Sequence, residues 1–165
     1  MRTFPKSPRI AIAASALLAL AACGGETADD AAPAADAPAE IAERQDNFEA
    51  IKDNFMVIRA NFEEGAETDL AAVEAAAREI SDRAGRINQY FPEGSGIDAG
   101  WDTEALGTIW EQPAEFTAAH EKLVAESAAL ATLASEGDMA AVGEQVGALG
   151  MSCKNCHDTF RLDTD

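Results

Sequence analysis

Apolar residues recur along most of this chain at intervals of three and four, the spacing that keeps side chains on one stripe of a helix. In the first such stretch, about residues 41–64, the stripe is Ile41, Phe48, Ile51, Phe55, Ile58 and Phe62, with Arg44 and Lys52 falling off it. Gly65 ends the run and Thr68 is placed to cap the next one. The second stretch carries Leu70, Val73, Ala77, Ile80, Ala84, Ile87 and Phe91 without a break until Pro92, as a helix packed at a shallow angle in a bundle requires. A Gly-rich loop follows, and a short helical turn is expected between Trp101 and Trp110.

The third helix starts near Pro113 and continues to about Ser135, with Phe116, His120, Leu123, Ser127 and Leu130 on one face. Gly137 and Asp138 make a connection so tight that the fourth helix must run back antiparallel. Its stripe is Met139, Val142, Val146, Leu149, Cys153, Cys156 and Phe160, so both thiols fall on core positions with His157 one step around. Abundant Ala, few β-branched residues, two Trp and one Tyr favour helix over sheet. The fold class is therefore all-α, a four-helix bundle over residues 41–165.

Residues 1–22 differ in kind. Arg2, Lys6 and Arg9 precede an apolar run over residues 10–22, too short to span a bilayer permanently, which is the form of an export signal. It ends Leu20-Ala21-Ala22-Cys23, which resembles the lipobox of bacterial lipoproteins and implies lipidation of Cys23. Residues 23–40 then hold the lipidated cysteine and an Ala/Pro/Asp tether with no large apolar side chain, expected to stay disordered. Its reach would be on the order of 20 to 25 Å. The formal net charge is -18, and removing the basic leader makes it three units more negative. Such a field repels nucleic-acid phosphates and anionic headgroups, so membrane attachment is expected only through a lipid anchor.

The chemistry lies in Cys153-Lys154-Asn155-Cys156-His157. Two thiols three positions apart, with a histidine directly after the second, form the attachment signature for haem: each thiol can add to one vinyl group while the imidazole reaches the iron. A thioredoxin-like redox pair would normally accompany a βαβ pattern. A zinc site would need two more ligands from a pool of His120 and carboxylates. One covalently attached haem c per chain is the reading that fits an exported all-α protein.

Four helices with this motif on the last one resemble the cytochrome c′ family of up-down-up-down bundles, over about residues 42–163. Cys153-Lys154-Asn155-Cys156-His157-Asp158-Thr159-Phe160-Arg161 matches the family's ending, and Arg44-Gln45, Phe91-Pro92 and Ile109-Trp110 followed by Phe116 are further matches. The resemblance implies thioether anchors at Cys153 and Cys156 and a proximal iron ligand at His157. It also implies a cation at Arg161 beside that histidine, propionate contacts at Arg44 and Gln45, and a loop at Ser95 and Gly96 touching the haem edge. For Arg44 the alternative is an ordinary solvated cation on an acidic helix.

In relatives with a six-coordinate haem, a methionine closes the distal side four residues after this arginine. Here that position is Phe48, which cannot ligate iron, so a five-coordinate iron is expected. Met56 lies too far along the helix to substitute, Met139 and Met151 are expected to be packing residues, and His120 a satisfied structural histidine. The implied function is periplasmic binding of small diatomic gases, nitric oxide before carbon monoxide, with redox activity alongside. A redox shuttle serving a periplasmic partner is the alternative, and a homodimer through the first two helices is expected. Peroxide cleavage needs distal acid–base groups and none is assigned, so an enzyme is not expected.

Overall fold

A computed structural model describes residues 36–164, so the export signal, Cys23 and the tether up to residue 35 lie outside the described residues. Five helices follow one another: α1 (Ala39–Ala60), α2 (Leu70–Ala84), the single turn α3 (Thr108–Glu111), α4 (Pro113–Glu136) and α5 (Met139–Phe160). Two 3₁₀ turns, Ile87–Tyr90 and Ile97–Ala99, lie in the long α2–α3 connection. Among the described residues the only β pairing is an isolated antiparallel bridge between Ala105 and Arg161.

The four long helices make the bundle. α2 packs against α1 and α4, and α4 packs against α5. Their stripes meet in a core where Ile58, Ala77, Ile80, Ala84, Leu130 and Val142 are wholly buried. The α4–α5 corner is as tight as its two residues predict: Gly137 takes the left-handed conformation at φ 74°, and Asp138 accepts the Ala141 N–H at 3.1 Å. Pro113 opens α4, where its missing N–H costs no helical bond.

Several boundaries differ from the sequence reading. α1 stops at Ala60, leaving Phe62 beyond its end and 43% exposed. The cap of α2 is Asp69, not Thr68: its carboxylate accepts the Ala72 N–H at 3.0 Å, while its own N–H reaches Asn61 Oδ1. Leu70, at the first turn of α2, is largely exposed because it lies at the bundle's end. α2 closes at Ala84 rather than running to Phe91; the chain tightens into 3₁₀ geometry, which still keeps Ile87 buried. Met151 is a further correction, since on α5 it is 56% exposed rather than packed in the core.

Leu130, on α4, is fully buried in this core. Leu130→Ala should therefore lower stability by roughly 2–5 kcal/mol in urea unfolding of the haem-loaded protein. A loss below about 1 kcal/mol would contradict its core placement.

Candidate functional site

The last turns of α5 carry the thiols and the histidine. Residues three apart on a helix diverge by about one sixth of a turn, and here that divergence separates two apolar clusters. Cys153 packs against the main core, whereas Cys156 packs against Ala105, Ile109, Phe116 and Phe160. Phe91 touches both clusters. The thiols are half-buried rather than fully in the core, and His157 is exposed.

Burial raises the pKa of both thiols. Cys156 is pushed up to about 11, first by burial and then by the nearby Cys153. Both therefore stay as neutral S–H groups at neutral pH. A site that resists thiolate suits addition of S–H across a vinyl double bond: sulfur bonds one carbon, the proton ends on the other, and no charge is buried. His157 is held below the ordinary histidine range, first by desolvation and then by the charge of Arg161; Glu104 and Asp158 act in the opposite direction. A neutral imidazole is the form that ligates metal. The donor set thus fits a covalently tethered haem.

Opposite α5 stands α1, and the two meet chiefly through side chains. A methyl added at Gly150 would lie 3.6 Å from Phe55 Cζ, and one at Gly143 would lie 3.1 Å from Phe62 Cε1. Phe55 on α1 and Phe62, two residues past its end, are seven apart, as are Gly150 and Gly143 on the antiparallel α5. The same register continued by seven residues brings position 48 level with position 157. Phe48 is half-buried there, edge-on to Phe91 at 6.4 Å, and Phe91, Phe116 and Phe160 continue the edge-to-face series at 5.0 and 5.3 Å.

Arg44 lies on the α1 stripe rather than off it, filling the seven-residue gap between Ile41 and Phe48, and at 3% exposure it is not the solvated cation of the alternative reading. Its guanidinium donates to Ser95 Oγ at 2.8 Å, to Thr103 Oγ1 at 2.6 Å, to the Ser95 carbonyl and to the Tyr90 carbonyl, and stacks over Phe91 at 5.0 Å. These acceptors are neutral, and burial lowers its pKa. Gln45 is exposed and donates to the Asp102 carbonyl at 3.1 Å. Ser95 is fully buried, and Gly96 lies so close to Trp110 that a Cβ would approach the indole to 2.6 Å.

Arg161, the first residue after α5, pairs with Glu104 at 2.6 Å. His120 lies elsewhere, its Nε2 2.8 Å from the Ala84 carbonyl oxygen, as a satisfied structural histidine would. Met139 packs at the core margin and Met56 is half exposed. Thr103 and Glu104 were invisible to sequence reasoning because residues 92–107 carry no helical period. A hydroxyl or an acid in such a loop has no pattern to mark it.

The chain matches the family model described as Cytochrome C′ over residues 39–161. It is 31% identical to the cytochrome c′ of Rhodospirillum rubrum over 150 residues, 89% of this chain and 98% of that protein. With the cytochrome c′ of Pararhodospirillum photometricum the identity is 44% over 71 residues, 43% of this chain and 55% of the relative. That match, like those to two further curated relatives at 58% and 63%, spans less than two thirds of the relative's own length. The solved cytochrome c prime of Shewanella frigidimarina superposes with a TM-score of 0.70 at 30% identity, covering 75% of this chain and 94% of that one. A four-helix bundle with paired thiols and a histidine on its last helix, matched by the family model along three quarters of its length, belongs to the cytochrome c′ family of haem c proteins.

Proposed function

We propose that this protein binds small neutral diatomic gases, nitric oxide first and carbon monoxide second, at a haem that Cys153 and Cys156 would hold by thioethers and His157 would hold by a ring nitrogen to its iron. The reading is supported by the α1–α5 register: Phe55 lies against Gly150, and counting seven residues on along both antiparallel helices would bring position 48 level with position 157. When bound, the haem supplies an iron that takes a diatomic ligand and exchanges single electrons. His157 presents a ring nitrogen from one side. Phe48, on the other, presents a ring with no lone pair for the metal and no proton for bound dioxygen. It excludes water and favours small apolar ligands.

Arg44 and the loop it holds are assigned to the haem's edge. A buried cation whose hydrogen bonds all run to neutral oxygens is well suited to a carboxylate partner, and a propionate would supply one. Gln45, Ser95 and Gly96 serve the same edge. A point mutant of the cytochrome c prime from Alcaligenes xylosoxidans, which shares this fold at a TM-score of 0.68 and 22% identity, has been solved as a nitric oxide complex.

Residues 1–22 are proposed to direct export to the periplasm, and lipidated Cys23 to anchor the bundle there through the following tether. Exposed Met56, Val57 and Leu70 on α1 and α2 provide apolar surface for pairing of two copies. A cytochrome c′ at 25% identity is described as having ligand-controlled dimer dissociation. Electron delivery to or from a periplasmic partner remains the second reading, since the same iron serves both uses.

Carbon monoxide added to the ferrous protein should change its absorption spectrum, and Phe48→Met should weaken or abolish that response by bringing a thioether to the open side. A ferrous spectrum indifferent to carbon monoxide in the unaltered protein would overturn the open site. His157→Ala should lose the axial bond while the haem stays covalently tethered. An unchanged spectrum in that variant would refute the proximal assignment.

A further inference from the structure

The end of α5 is held by the loop that precedes α3. After Phe160 the backbone turns extended, with Arg161 at φ -118° and ψ 138°, and runs antiparallel to residues 104–106. Leu106 N–H donates to the Phe160 carbonyl at 3.0 Å, and Leu162 N–H donates to the Glu104 carbonyl at 2.8 Å. Thr108 Oγ1 donates to the Thr159 carbonyl at 2.8 Å. A helix leaves its last carbonyls without partners, so this loop satisfies groups that would otherwise fray the turn carrying His157.

The side chain of Glu104 completes the clasp. Its Oε2 accepts from Arg161 Nε at 2.6 Å, and its Oε1 lies 3.5 Å from Thr164 Oγ1. Arg161 is one helical turn beyond His157, and its N–H donates to the His157 carbonyl at 3.1 Å. Cation and carboxylate thus sit together beside the turn that carries the axial ligand.

We propose that Glu104 is a positioning residue for the proximal side of the haem: its carboxylate holds Arg161 and balances that cation's charge beside His157, while its backbone segment clasps the end of α5. This rests on the reading of His157 as the iron ligand. Ferric and ferrous iron differ by one electron, and therefore by one unit of positive charge. A nearby cation opposes the ferric state and a nearby carboxylate favours it. The pair is about half exposed, with side-chain accessibilities of 47% and 44%, so its influence is partly screened and should weaken as salt is added.

The test is the midpoint potential of the haem-loaded full chain in Glu104→Gln, Arg161→Gln and the double variant, at low and high salt. Glu104→Gln should raise the potential, Arg161→Gln should lower it, and the double variant should return towards the starting value, with the single shifts shrinking in salt. Glu104→Asp, which keeps the charge, should stay near the starting value. An unmoved potential in Glu104→Gln, or single shifts of the same sign, would overturn the proposal, the latter because general loosening of the proximal turn has no reason to reverse sign. A Glu104→Asp shift as large as that of Glu104→Gln would do so as well. The His157→Ala spectrum separates this failure from that of the ligand assignment, since it reports on the axial bond alone.

Discussion

The register between α1 and α5 is set where Phe55 of α1, and Phe62 just past its end, lie against glycines of α5. The other neighbouring helix pairs pack closely along their backbones, α1 on α2, α2 on α4 and α4 on α5. α1 and α5 instead meet where Phe62 rests on Gly143 and Phe55 on Gly150. A methyl at Gly143 would crowd the Phe62 ring at 3.1 Å, whereas one at Gly150 would meet Phe55 at an ordinary 3.6 Å. The same register carried on by seven residues brings position 48 level with position 157, where α5 has a histidine in place of a glycine.

A second constraint acts on the same stripe. Arg44 lies one turn before Phe48, and its buried guanidinium ties α1 to the loop over residues 90–103 through four hydrogen bonds and a stack on Phe91. Burying a cation is costly unless its donors are satisfied, and a satisfied network of this kind holds its surroundings in one arrangement. Phe91 links this polar hub to the aromatic series that ends at Phe160, beside Cys156. The loop, α1 and the helix bearing the thiols are thus joined through Phe91 and then Phe116. Glu104 and Arg161 provide a comparable tie at the end of α5.

The four long helices were legible because each buries one face, and burial imposes a period of three and four. α4 and α5 begin and end within a residue or two of their punctuation, at Pro113, Gly137 and Asp138. The thiols and the histidine were legible because attachment chemistry fixes their spacing regardless of the fold. Arg44 was misjudged in the pattern because a charge at a core position reads as polar, and only the acceptors on a distant loop make that position habitable. Met151 and Phe62 were misjudged in the opposite direction: they are apolar, but one points away from the core and the other lies past the helix end. Glu104 could not be found at all, since its role depends on a pairing between residues 57 positions apart.

The most direct test is the electron paramagnetic resonance spectrum of the ferric, haem-loaded protein at neutral pH, together with the spin state of its ferrous form. An axial imidazole from His157 with only an aromatic ring facing it should leave the iron high-spin in both oxidation states. A low-spin iron in both would mean that a second strong ligand reaches the metal, and would contradict the placement of Phe48 opposite His157.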